Sequence, residues 1–340
     1  PIRRFVINQG RLDFADQRRG LTFKGLVNAA ETPGAGGGGF ELAGDGSLNR
    51  EPFQLRLTGG ALLNIKRDKP YVFDASVRAG PTHVTARGQV DRPFDLGHVG
   101  MAVTARGEDL ADLYNLTGIP FPNTPPYRLN GRIVRDDTVF RVERLAGRVG
   151  DSDLSGTIKV NAATSRPRLT ADLSTRSLDF DDLAAVFGGA PHRGAGETVS
   201  PNQAAIGHAL AAERRLLPDA TLDAERLRAI DADVDYRVAA IRDAPIPLQS
   251  ASVKISLDKG LLVADPLRMQ LPQGLIYGSA RLNGRPATPV AAVDLRISHA
   301  RLEQFVRVAG PTPPLTGALA ARVKLEGAGA SVRRAAADAD

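Results

Sequence analysis

The residues able to do chemistry are few and badly placed for it. Five histidines, His83, His98, His192, His208 and His299, are scattered along the chain, and none has a second ligand-type residue at a metal-binding spacing. Cysteine is absent, which removes disulfides, thiolate metal sites and cysteine nucleophiles. Asp179, Asp181 and Asp182 form a carboxylate cluster, but they precede an apolar run, where acids serve as helix cap and dipole partners. Asp151, Ser152 and Asp153 read as a turn, since a calcium loop needs more oxygen ligands and a glycine at its bend. No Gly-x-Ser-x-Gly elbow occurs. The glycine run at 33–39 lacks the following Lys-Ser/Thr of a phosphate cradle and reads as an exposed hairpin loop. The expectation is a protein that is not an enzyme, with no cofactor and no metal.

Composition narrows the alternatives. The 340 residues suffice for a large core, and at 42% hydrophobic the chain is not a disordered one. Aromatics are 5%, while Gly (35) and Pro (23) are plentiful, which suits short strands and tight turns. The net charge is +6, but the arginines stand singly rather than in blocks interleaved with aromatics, so nucleic acid is not an expected partner. No stretch approaches the ~20 apolar residues of a membrane span. Residue 1 falls directly into a strand pattern and the chain stops within another unit, so a fragment lacking its anchor is expected.

Period-two alternation dominates. Phe53–Thr58, Arg168–Leu173, Val253–Leu257, Val293–Ile297 and Val323–Glu326 each place apolar groups on one face and polar groups on the other. On the order of 20 short strands satisfy this criterion. Three short helices are expected, at 108–118, 179–188 and 300–310, each closing on glycine. Each follows the same order: a strand with a central glycine (Gly88, Gly156, Gly278), a loop with proline, an alternating strand, then the helix. From first glycine to last, the units span 30, 32 and 32 residues (88 to 118, 156 to 188, 278 to 310), a length that indicates stacked repeats. A Gly/Pro-rich loop with a helix over Asn202–Leu217 interrupts the pattern. The expected organisation is 1–188, a first β-repeat region; 189–229, loop and short helix; and 230–340, a second, truncated β-repeat region.

The ordered patterns of Gly, Pro, Asp and alternation at 109–131, 145–187, 216–238, 246–267 and 315–340 resemble the AsmA family of envelope proteins, a likeness covering most of the chain from about residue 50. The resemblance implies a bacterial periplasmic protein held to the inner membrane by an N-terminal anchor missing here. It implies a role in outer-membrane biogenesis and kinship with TamB- and YhdP-type lipid-transfer proteins. It also implies an envelope or outer-membrane protein partner, and no catalytic residues.

The strands pose a burial problem independently of any family. About 20 apolar strand faces have only a few short helices to cover them, and exposed apolar surface costs roughly 25 cal/mol per Å². A second sheet, a closed solenoid or a lipid-binding groove would each resolve it. With the resemblance, the expected fold is mostly β: an elongated, repeat-built, twisted antiparallel sheet forming a curved groove, with a few short helices. Phospholipid or another acyl lipid would then lie along Leu55, Leu57, Leu169, Leu173, Ile255, Leu257, Leu295 and Ile297. A non-catalytic scaffold for outer-membrane protein assembly is the alternative, and a polysaccharide-cleaving solenoid, short of aromatics, a distant third.

Overall fold

Strands account for most of the chain because period-two alternation satisfies one dry and one wet sheet face at once. The computed structural model describes residues 5–17, 20–31, 39–48, 50–61, 70–91, 97–119, 121–183, 205, 224–305 and 315–329. The expected loop at 33–39, the helix over 202–217 and the linker at 189–229 fall largely or wholly outside them. The chain divides into two compact units, one of residues 1–121 and 127–145, the other of 122–126 and 146–340. The division falls within strand β9 (Val139–Val149).

The first unit is an antiparallel meander. β1 (Phe5–Asp16), β2 (Leu21–Glu31), β3 (Gly39–Leu48), β4 (Glu51–Gly59), β5 (Tyr71–Ala79), β6 (Thr82–Val90), β7 (His98–Gly107) and β8 (Tyr127–Asp136) each pair with the next. Between β7 and β8 stand a 3-10 turn at Leu110–Leu113 and the single-turn helix α1 (Tyr114–Thr117). Asp109 caps the turn by accepting the Ala111 N–H at 2.9 Å, and Gly118, at φ 68°, ends the helix.

In the second unit β10 (Ser152–Asn161) pairs antiparallel with β11 (Arg168–Thr175). β11 then pairs in parallel with β13 (Asp231–Val238). Antiparallel order resumes through β15 (Ser250–Asp258), β16 (Leu261–Gln270), β17 (Leu275–Asn283), β18 (Val290–Arg301) and β19 (Ala318–Ala328). A two-residue parallel pair, β12 (Leu178–Asp179) and β14 (Ile241–Arg242), and helix α2 (Ala224–Ala229) complete the described elements.

The three expected repeats share one local geometry. Gly88 faces Met101, Gly156 faces Leu173 and Gly278 faces Leu295 across the next strand. A Cβ at these glycines would lie 2.4, 2.1 and 1.9 Å from the carbonyl oxygen preceding the facing residue, namely Gly100, Asp172 and Asp294. The neighbouring backbone therefore occupies the space of a side chain, which only glycine permits. A helical turn follows each partner strand: Leu110–Leu113, the start of a helix at Asp182–Leu183, and Leu302–Gln304. The first turn runs from the Asp109 cap to Gly118 as the sequence suggests; residues 184–188 and 306–310 of the other two lie outside the described residues, and Ala300 and Arg301 belong to β18.

Candidate apolar binding face

Cross-strand register decides which side chains share a face. In the first unit Leu55 lies in an unbroken row of eight: Leu12, Gly25, Gly44, Leu55, Val77, Val84, Ala105 and Leu129. Leu57 lies in the adjacent row on the same face, between Leu42 and Ala75. Phe23 and Phe53 stack there with centroids 6.2 Å apart, filling the gap above Gly46. Seven strand spacings make such a row roughly 34 Å along the sheet.

The second unit repeats the arrangement. Leu173 and Leu295 share one row, Gly156, Leu173, Tyr236, Val253, Leu267, Gly278, Leu295 and Val323. Leu169 and Leu257 share another with Val160, Ala232 and Leu262, and Ile255 stands between them beside Val234 and Ala264. Ile297 faces Ile276 and Ala321. The structure thus places Leu55 and Leu57 on one apolar face of the first unit, and the other six on one apolar face of the second.

The bulge in β16 is needed for this. Asp265 and Pro266 interrupt the pairing between Ala264 and Leu267, so Leu262 and Ala264 before it and Leu267 and Met269 after it all point the same way. Without the extra residue the second half of the strand would present its charged face.

Leu55, Leu57, Leu169, Leu173, Ile255, Leu295 and Ile297 are half-buried, and Leu257 is buried. The eight residues of each long row are half-buried or exposed, and the closest element contacts join neighbouring strands, with a few at the turns. Among the described residues a cluster of buried side chains, Leu248, Leu271, Ile276 and Ala300, lies at the strand ends of the second unit, with Phe180, just after β12, and Ile241 of β14 packed against it. Leu295 and Ile297 pack against it, so part of their cover is protein.

The opposite face is charged and largely self-neutralised. Arg56 lies 3.1 Å from Glu41, Arg87 2.6 Å from Asp74, Lys254 3.4 Å from Asp235 and Arg322 2.6 Å from Asp294, and Arg168 and Arg237 pair with Asp233 and Asp172. This contrast between faces is what makes the apolar one a candidate site.

Two polar arrangements were not legible in the sequence. The Asp182 carboxylate is buried and accepts Ser152 Oγ–H at 2.5 Å and Asp151 N–H at 3.0 Å; burial pushes its pKa up to about 6. Ser152 Oγ in turn accepts Asp179 N–H at 2.9 Å. Asp179 caps as expected, accepting Asp181 N–H at 3.2 Å, but Asp182 turns inward to brace the start of β10. A buried acid 30 residues from its partner leaves no local pattern. The second is His98, whose Nε2 lies 3.2 Å from Asp136 Oδ1, with Asp137 bringing a carboxylate within 4.8 Å. All three are exposed and Asp136 is also 3.7 Å from Arg141, so this reads as a strand-end ion-pair cluster.

A model of the AsmA family matches residues 9–340. The chain is 27% identical over 300 residues to the AsmA family protein YhjG of Escherichia coli (strain K12), covering 86% of this chain and 44% of that protein. The chain thus spans less than half the length of that curated relative. No solved structure matches it.

Proposed function

The chain belongs to the AsmA family, and from that premise we propose that it works in the bacterial cell envelope as a lipid-handling protein, its apolar sheet faces holding the acyl chains of phospholipid. In this reading it resides in the periplasm, held to the inner membrane in the full-length protein, and supports outer-membrane biogenesis by passing lipid between the membranes.

One observation carries the reading: eight-strand apolar rows whose side chains stay half-buried or exposed, opposite a face on which most of the arginines of the neighbouring rows are ion-paired. Each methylene transferred from water to such a face gains about 0.8 kcal/mol. The rows run across strands without a polar interruption, so a chain sliding along one meets no deep trap. Binding of this kind is passive and requires no catalytic group.

The experiment is photocrosslinking in cells with the probe at Leu55 and, separately, at Arg56. These neighbours lie on opposite faces of β4 in the first unit, away from the buried cluster that complicates Leu295. Phospholipid captured at position 55 and not at 56 is the expected result. Capture at neither, in a folded protein, would replace this reading with a scaffold that supports outer-membrane protein assembly without carrying lipid.

A further inference from the structure

One row on the polar face of the first unit is unlike the ion-paired rows around it. Arg78 on β5, His83 on β6, Arg106 on β7 and Arg128 on β8 stand directly opposite one another in register. Like charges facing each other on adjacent strands repel. All three guanidiniums are exposed, and none forms an ion pair with a described residue, whereas Arg56 and Arg87 on the same face are paired. His83 Nδ1 is buried with no hydrogen-bond partner among the described residues. Burial first, and then Arg106 and Arg78, hold the imidazole below its ordinary pKa, a sign of the uncompensated positive field in which it sits.

The next row on the same face is neutral but rich in hydrogen-bonding groups: Ser76, Thr85, Thr104 and Asn130, again in register. Together the two rows form a plane of cations beside hydroxyl and amide groups, about 14 Å across four strands. That chemistry suits oxyanions presented on a surface.

We propose that this patch docks the chain on the phosphate headgroups of an anionic lipid bilayer. Single-stranded nucleic acid would want aromatic platforms for its bases, and the eight positions hold none. An acidic protein partner would want an apolar or aromatic anchor at the centre of the contact, and that too is missing. Anionic headgroups need only cations and donors at the membrane surface. The inference does not depend on acyl-chain binding, which uses the other face.

The test is co-sedimentation of the chain with phosphatidylcholine vesicles, with and without phosphatidylglycerol. The wild type should bind the mixed vesicles, lose binding as salt rises, and bind pure phosphatidylcholine at least tenfold more weakly. Arg78→Gln/Arg106→Gln/Arg128→Gln should lower partitioning at least tenfold, while the triple lysine variant at the same positions retains it. Arg168→Gln/Arg237→Gln/Arg322→Gln removes the same charge from paired arginines and should change binding less than twofold. Equal loss in both glutamine triples would reduce the effect to net charge and overturn the proposal. So would vesicle binding indifferent to phosphatidylglycerol, or tighter binding of an oligonucleotide or polyaspartate through the same arginines. Leu55→Asp should bind these vesicles like the wild type, which keeps the two readings separable.

Discussion

At the scale of single residues, the buried Asp182 carboxylate has the clearest measurable consequence. Its pKa is raised from 3.8 to about 6 because burial penalises the charged form more than the bonds from Ser152 and Asp151 favour it. The folded state therefore holds this proton more tightly than the unfolded state does. Asp182 then favours folding at low pH, and its contribution is lost as pH rises from about 4 to about 6. Asp182→Asn is neutral at every pH and keeps an oxygen to accept the Asp151 N–H and Ser152 O–H. The variant should lack this part of the pH dependence and be more stable than the wild type above pH 6, by roughly 2–3 kcal/mol. Urea unfolding of both proteins between pH 4 and 8 measures the difference directly, with the other titrating groups common to both. A gap that does not change with pH would mean the carboxylate is ionised without penalty in the native protein.

At the scale of elements, the repeated strand glycine sets how closely neighbouring strands approach. Gly278 combines a φ of 157° with a Cβ position 1.9 Å from the Asp294 carbonyl oxygen. Gly60 has nothing nearer than 3.9 Å, where Tyr71 makes ordinary contact. Gly278→Ala should therefore cost on the order of 2–4 kcal/mol, and Gly60→Ala less than about 1. Denaturation midpoints of the two variants against the wild type test this; equal midpoints would mean that β17 and β18 can part without penalty. The recurrence of Gly88, Gly156 and Gly278 at the head of units of similar length was readable from the sequence because glycine inside an alternating strand is conspicuous. Most strands were readable for the same reason, since alternation is local. Register was not: the parallel partnership of β11 with β13 joins residues more than sixty apart, and nothing near Leu169 announces Ala232. The bulge at Asp265–Pro266 was equally hidden, because in the sequence it looks like the end of a strand. The third helical turn starts at Leu302 rather than Ala300 because β18 continues through Arg301, extending its ladder with β19 where an isolated chain would begin a helix.

At the scale of the whole molecule, the candidate faces were legible as a set of inward residues but not as rows. Leu55 and Leu57, or Leu169 and Leu173, follow from alternation alone; that Leu173 and Leu295 belong to one continuous row requires five intervening strand pairings. That continuity makes the apolar face a property of each sheet and gives it a thermodynamic signature. A native protein with partly exposed apolar rows should be stabilised by any amphiphile that fills them, since a ligand binding the folded and not the unfolded state adds RT ln(1 + [L]/Kd). A single-chain phospholipid, kept below its micelle concentration at about 100 times its Kd, should thus add close to 2.7 kcal/mol, seen as a raised Tm. The sheet faces predict where this is lost. Leu55→Asp/Leu57→Asp places two carboxylates in adjacent rows of the first unit and should shrink the ligand-induced rise. Arg56→Asp/Thr58→Asp alters the opposite face of the same strand and should leave it intact. Thermal unfolding with and without the lipid compares the rise within each variant, so a change in intrinsic stability does not mask the outcome. If the rise is absent in the wild type, the apolar rows do not bind acyl chains under these conditions. If both double variants lose it equally, binding is not confined to the apolar face.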